Sequence, residues 1–155
     1  MFQAGQCVVY PLHGLGYVEE IREVARKQYY AIRIPSGNIM IQIPAERAQN
    51  FGMRLPKSKA EAEEILKKLG GCEVSSSDNW NLRFKENWEL LRSGNLEQVV
   101  AVVKCLQTQE NKKRLSMVEN RLFGMAKQIL LSELVFSLEI NDEKAVELLA
   151  KWLNS

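Results

Sequence analysis

The chain changes its hydrophobic periodicity between Phe51 and Lys57, and this change constrains the fold more than any other feature. Before it, apolar and polar residues alternate, as in Ile39–Ile43, which is the period of a half-buried strand. After it, apolar residues recur every three or four positions, which is the period of an amphipathic helix. We therefore predict an α+β chain with a small antiparallel β domain at residues 1–52 and a compact all-α domain at residues 53–155.

The N-terminal part consists of short β-prone runs separated by turn residues. Pro11, Gly14 and Gly16 interrupt the chain after the first run, and Pro35–Asn38 has the composition of a turn. Short strands at close spacing are typical of a small, strongly bent antiparallel sheet or an open barrel. The runs are Cys7–Tyr10, Tyr17–Val24, Gln28–Ile34 and Ile39–Ile43.

In the C-terminal part, a helix start signal precedes each apolar stripe. A serine followed three residues later by glutamate is a capping box, in which both side chains bond to backbone amides of the first turn. Asparagine and aspartate also cap helices well, because their side chains accept from the same amides. The predicted caps are Ser58, Asp78, Asn95, Ser116 and Asn141–Asp142.

Charge and hydropathy set limits on the partners of the chain. The formal net charge is +2, so the whole molecule has no strong basic field, and any nucleic-acid binding must come from local patches. No apolar run approaches the roughly 20 residues that span a bilayer. The first five residues also lack the regions of a signal peptide. We expect a cytoplasmic, nucleoid-associated protein that does not bind membranes.

The chain offers little for catalysis. Cys7, Cys72 and Cys105 are scattered and lack C-x-x-C spacing, which argues against a disulfide framework or a zinc site. The single histidine, His13, lies in a turn, where hydrogen bonding is the commoner role. The neighbouring Gly14-Leu15-Gly16 matches neither a Walker loop nor a dinucleotide fingerprint. We expect no enzyme activity, no catalytic residues, no metal and no cofactor.

One stretch, Asn79–Trp88, has two interpretations. Trp80 at a helix start, with Arg83 and Lys85 nearby, is suited to stacking on nucleic-acid bases or wedging between them. Trp80, Phe84 and Trp88 are also spaced by four residues, which is the pattern of an ordinary apolar stripe facing a helical core. Spacing alone leaves both interpretations open.

A short basic run, Lys112-Lys113-Arg114, precedes the second capping box. Such a run is commonly only a solvated turn. Together with Arg83 and Lys85 it could instead form a cationic face that meets phosphates, with affinity that depends on salt.

Three segments together resemble the CarD/CdnL family of bacterial transcription regulators. They are Val8–Gly16, with its Tyr-Pro-x-His-Gly-x-Gly turn, Ile43–Glu46, and Asn79–Lys85, with its Asn-Trp-x-x-Arg-Phe-Lys helix start. The resemblance implies a Tudor-like N-terminal domain that binds the β subunit of RNA polymerase. It also implies a helical C-terminal domain that touches promoter DNA at the upstream edge of the transcription bubble and so stabilises the open complex.

The resemblance assigns roles to individual residues of the helical domain. A tryptophan at the position of Trp80 wedges into the minor groove where the duplex opens, whereas Phe84 and Trp88 keep a core role. Arg83 and Lys85 are implied to contact the DNA backbone. Leu82 stands where a basic residue is common, so the DNA contact is expected either to be weaker or to rely more on Lys112, Lys113 and Arg114.

The polymerase-binding surface is implied to lie on the sheet, including an exposed strand edge. The matching strands are Val24–Arg26 and Met40–Pro44. Alternation favours Met40 and Gln42 as outward-facing. Gln42 replaces an arginine of some relatives, which weakens the case for a salt bridge there. The expected polymerase contacts are Val24, Arg26, Met40, Gln42 and Pro44.

A second hypothesis is a Tudor-like protein-interaction module that reads a modified peptide without DNA binding. It requires an aromatic cage around a cation, which Tyr10, Tyr17, Tyr29 and Tyr30 could supply. The same tyrosines are also what a sheet uses for packing, and we favour that interpretation. We expect a monomer, with dimerisation by exchange of the N-terminal domain left open.

Overall fold

The computed structural model of the protein describes residues 1–70 and 78–153. Residues 71–77, which contain Cys72, lie outside this part, as do residues 154–155; the side chains of residues 68–70 are not described. Within it, an antiparallel sheet is followed by helices. The predicted α+β class, with a Tudor-like β domain before an α domain, is therefore confirmed.

The sheet has four strands in the order β1-β2-β3-β4, each antiparallel to its neighbour. A bulge between Val18 and Glu20 breaks the β2–β3 register and bends the sheet. Ala25 and Arg26 form the β2–β3 turn, both with positive φ, as in a type I′ hairpin. Arg26 was expected in a strand and lies instead in this turn. The strands are β1 Cys7–Tyr10, β2 Gly14–Val24, β3 Lys27–Ile34 and β4 Ile39–Pro44.

The sheet domain has its own small core. Val8, Val18 and Ile32 are fully buried there. Met53 packs into the same core, and the backbone of Arg54 pairs with that of Val9. Met53 and Arg54 therefore contact the sheet directly.

Five α-helices follow within the described residues, and none of them is long and apolar enough to cross a membrane. The predicted stripes of α3 and α4 are buried, and α4 runs through the helical core. The helices are α1 Lys59–Gly70, α2 Trp80–Arg92, α3 Leu96–Lys112, α4 Met117–Leu138 and α5 Asp142–Leu153.

The capping box predicted at Ser58 has both of its hydrogen bonds. The Ser58 hydroxyl accepts from the amide of Glu61 at 3.2 Å, and the Glu61 carboxylate accepts from the amide of Ser58 at 3.1 Å. These bonds lower the pKa of the Glu61 carboxyl. The box therefore fixes the start of α1, as expected.

One other cap differs from the prediction, and one predicted capping box is only half formed. The cap of α2 is Asn79 rather than Asp78: its side-chain oxygen accepts from the amides of Asn81 and Leu82 at 3.0 and 3.3 Å. Ser116 caps α4 by accepting from the amide of Glu119 at 3.2 Å. The carboxylate of Glu119, however, bonds to an arginine of α2, so this box is only half formed.

Candidate nucleic-acid and polymerase interfaces

The aromatic residues of α2 divide into two groups. Trp80, the first residue of the helix, is 48% exposed. Phe84 and Trp88 are half-buried against the helical core, with ring centroids 6.4 Å apart and planes 11° from parallel. Leu91, further along, is fully buried. From Phe84 onward the apolar stripe of α2 packs against the core, whereas Trp80, the first residue of the stripe, extends beyond it.

Arg83 has a different place from the one expected. Its Nε and Nη2 donate to the two carboxylate oxygens of Glu119 at 2.6 and 2.7 Å. Arg83 is only 5% exposed and Glu119 only 1%. The bonds to Glu119 raise the pKa of the Arg83 guanidinium. Arg83 is therefore not available to a DNA backbone: a buried carboxylate already occupies its donor fork.

This ion pair determines which parts of the helical domain are neighbours. Arg83 lies in the first turn of α2 and Glu119 in the first turn of α4, so the N-terminal turns of the two helices lie side by side. Lys112 is the last residue of α3, and Lys113 and Arg114 follow it in the link to α4; all three are exposed. One end of the helical domain thus combines an exposed indole with three exposed cations. The N-termini of α2 and α4 also lie at this end, and the positive end of a helix dipole favours anions.

Two further residues near the start of α2 are exposed. Lys85 is exposed, and it lies about 200° around α2 from Arg83, on the side away from Glu119. Leu82 is 48% exposed and faces solvent. We call the exposed members of the expected DNA contacts, which are Trp80, Lys85, Lys112, Lys113 and Arg114, the helix-end patch.

The register of the sheet places four of the five expected polymerase contacts on one face. Across β3, Met40 pairs with Arg33, Gln42 with Ala31 and Pro44 with Tyr29. Val24 pairs with Lys27 at the other edge of the same strand. Because paired residues share a face and alternate residues share a face, Val24, Met40, Gln42 and Pro44 all lie on one side of the sheet. Met40 and Gln42 are exposed, whereas Ile43 is buried, which agrees with the predicted orientation.

The four tyrosines proposed for a cage do not surround one space. Tyr30 is buried in the sheet core, where its ring meets Phe2 edge-on and its hydroxyl accepts from the Phe2 amide at 3.1 Å. Tyr29, the next residue along β3, lies on the opposite face. Tyr10 packs beside His13, with ring centroids 5.6 Å apart. The packing role that the sequence favoured is the one seen for Tyr30.

Inspection of the described ranges gives no group of three His, Cys, Asp or Glu side chains that could hold a metal ion. His13, the one histidine, packs against Tyr10 in the turn that leads into β2. Among the described residues, the expected partner contacts that are exposed lie in the helix-end patch and on the outer face of the sheet.

Two family models match the chain, one in its N-terminal part and one in its C-terminal part. The family model "CarD, C-terminal domain" matches residues 64–150, and the model "CarD-like/TRCF RID domain" matches residues 2–55. The transcription factor candidate YdeB of Bacillus subtilis (strain 168) is 29% identical over 138 residues, which cover 86% of this chain and 90% of YdeB. These matches point to transcription regulation rather than to an enzyme. The chain belongs to the CarD family of transcription regulators.

Proposed function

We propose that the protein tethers itself to the β subunit of RNA polymerase and wedges Trp80 into promoter DNA at the upstream edge of the bubble. The outer face of the sheet is the tether, and the helix-end patch is the DNA contact. A ligand that binds the open complex better than the closed one shifts the equilibrium by its differential affinity. The protein therefore lengthens the lifetime of open complexes without reading a base sequence.

The exposure of Trp80 is the observation that carries the proposal. Trp80 is half exposed at the helix end, whereas Phe84 and Trp88, the next two aromatic residues of its stripe, are packed against the core. Part of the indole surface of Trp80 is therefore available for stacking. Stacking of one base on an aromatic side chain contributes about 1–3 kcal/mol. That range corresponds to roughly a 5- to 150-fold shift between closed and open complexes.

The polar groups around Trp80 support contact with phosphates. Lys85 and the exposed run Lys112–Arg114 contribute attraction to the DNA backbone, which does not depend on sequence. Arg83 contributes through its hold on Glu119 instead of through a phosphate. The DNA contact is thus a wedge with a cationic rim.

The sheet face supports the tether. β4 pairs with β3 on one side only, so its other edge is open to an added strand. Val24 and Met40 are exposed apolar residues on the adjoining face. An exposed strand edge beside apolar side chains is suited to binding a protein partner.

The decisive experiment measures the lifetime of open promoter complexes with purified polymerase. Wild type should lengthen the lifetime, and Trp80→Ala should abolish the gain while the variant still binds the isolated β subunit. Phe136→Ala is a matched control, because Phe136 is also exposed, near the other end of α4. Its effect should equal that of wild type. A Trp80→Ala protein that still prolongs the open complex fully would refute the wedge.

A further inference from the structure

Helix α4 carries two buried carboxylates, and each binds one arginine through two hydrogen bonds. Glu119 holds Arg83 of α2, and Glu133 holds Arg54 of the sheet domain. Both glutamates are only 1% exposed. Fourteen residues separate them, which corresponds to about 21 Å along the helix axis and about four turns. They therefore lie on nearly the same face of α4, one at each end of the core.

Arg54 contacts both domains, one through its backbone and the other through its side chain. Its backbone pairs with Val9 of β1 in both directions, with N–O distances of 2.7 and 3.2 Å. Its side chain crosses to the helical domain, where Nη1 and Nη2 donate to Glu133 at 2.8 and 2.7 Å. Its Nε donates to the carbonyl of Gly94, between α2 and α3, at 2.8 Å. The Glu133 carboxylate also accepts from the amide of Lys57 at 2.9 Å.

The glycine-rich turn of the family motif lies at the same junction. A side chain at Gly14 would place its Cβ 2.7 Å from the Ser132 hydroxyl of α4, and the amide of Leu15 donates to that hydroxyl at 3.2 Å. Pro11 fits between Gly52 and Gly94, where added Cβ atoms would lie 3.0 and 2.9 Å from its ring. The motif therefore serves close packing between the domains.

We propose that Arg54 and Glu133 are positioning residues that hold the sheet domain at one angle and distance from Trp80, with α4 as the rigid spacer. The inference rests on the proposed function, because it concerns how the wedge is aimed once the sheet is bound. A spacer fixed in advance avoids the entropy cost of ordering two domains on the complex. Without the pair, only those molecules that happen to have the correct angle between the domains could place Trp80 on the DNA. The apparent affinity of the tethered protein for the DNA would fall in proportion to that fraction.

Two variants test the role of this pair. Glu133→Gln keeps the shape and removes the charge. The double variant Arg54→Ala with Glu133→Leu removes the hydrogen bonds that these two side chains make and leaves no unpaired charge in the core, a change that buried pairs often tolerate. Glu89→Gln is the matched control, since Glu89 pairs with Arg92 on the exposed surface of α2 at 2.8 Å.

The first measurement is ¹⁵N relaxation on the full chain, which needs no partner. Wild type and Glu89→Gln should tumble as one body with one correlation time, whereas the two test variants should give separate times for sheet and helices. The second is the open-complex lifetime. If the test variants hold the correct angle about one-tenth of the time, the gain in lifetime falls about tenfold while binding to the β subunit is unchanged.

The two measurements separate this proposal from the proposed function. Test variants that still tumble as one body, or that tumble as two and keep the full lifetime gain, would overturn the positioning role. So would loss of the helical fold in both variants, because the pair would then hold one domain together instead of aligning two. A wild type without any effect on the open complex would refute the proposed function, and relaxation would still decide whether the pair fixes the angle.

Discussion

Trp80 and Trp88 are two turns apart on one helix and have opposite surroundings. Trp80 is half exposed at the helix end, whereas Trp88 stacks on Phe84 against the core. Trp80→Ala should therefore change the free energy of unfolding by no more than about 0.5 kcal/mol, as surface substitutions do. Trp88→Ala should cost much more, near the lower end of the about 3–5 kcal/mol that removal of a core aromatic costs.

Urea denaturation of both variants, followed by far-ultraviolet circular dichroism, measures the two costs. If Trp80→Ala is the more destabilised of the two, the indole of Trp80 belongs to the core. The wedge would then have no exposed ring to use.

Met40 tests the tether in the same way. Met40 is 43% exposed on the outer face of the sheet, so Met40→Glu should leave the circular dichroism spectrum and the melting temperature unchanged. Binding to the β subunit should be lost, because an unpaired charge buried against a partner costs several kcal/mol. Val146→Glu, a charge added at an exposed site on α5, is the control and should bind normally. An unfolded Met40→Glu protein would contradict the assigned orientation of β4.

The reactivity of the Cys7 thiol depends on its surroundings at the junction of the two domains. Burial, followed by the negative charge of Glu133, raises the pKa of the Cys7 thiol from 9.0 to about 11. Only the thiolate reacts with alkylating agents, so at pH 8 Cys7 should react roughly a hundredfold more slowly than an exposed thiol. The rate should keep rising up to about pH 11, and Glu133→Gln should increase it at pH 8.

Mass spectrometry of the Cys7 peptide gives this rate separately from the rates of Cys72 and Cys105. A Cys7 that reacts at the rate of a free thiol would mean that neither burial nor Glu133 acts on it.

At the scale of elements, the buried Arg83–Glu119 pair joins α2 to α4. Arg83→Ala leaves a carboxylate buried without its partner, which should destabilise the protein by about 3–5 kcal/mol. Arg83→Met combined with Glu119→Leu removes both charges and should recover most of that loss. Chemical denaturation of the single and double variants gives the comparison. A nearly neutral Arg83→Ala would mean that solvent reaches Glu119.

The sequence predicted the helices and strands well because each depends on local signals. The apolar stripes of α3 and α4 are buried as the period of 3.6 required, and the capping box at Ser58 begins α1. The cap of α2 moved by one residue, from Asp78 to Asn79, since both side chains can accept the same amides.

The role of Arg83 could not be predicted from the same signals. Its partner lies 36 residues away, and helical spacing gives no information on which helix faces it. The capping-box pattern at Ser116 also suggested that Glu119 would bond back to its own helix start, whereas its carboxylate bonds to Arg83. Arg26 was placed in a strand by the resemblance alone. The β-prone runs Tyr17–Val24 and Gln28–Ile34 left it between strands, where the structure has the turn.

At the scale of the whole molecule, a net charge of +2 conceals an uneven distribution. The fold places Lys112 at the end of α3 and Lys113 in the link to α4, whose first turn pairs with that of α2. Lys59 and Lys144 lie in the first turns of α1 and α5. Glu133 and Ser137, in the last turns of α4, lie near the start of α1. If phosphates meet the helix-end patch, only the first pair of lysines should affect DNA binding.

We therefore expect Lys112→Gln with Lys113→Gln to weaken binding to forked DNA and to make it less dependent on salt. Each phosphate contact contributes about 0.9 to the slope of log affinity against log salt, so loss of two contacts should reduce the slope by about 2. Lys59→Gln with Lys144→Gln removes the same charge and should leave the slope unchanged. Fluorescence anisotropy across a salt series measures both slopes. Equal reductions in the two variants would mean that net charge alone attracts the DNA, and that the helix-end patch has no special part in binding it.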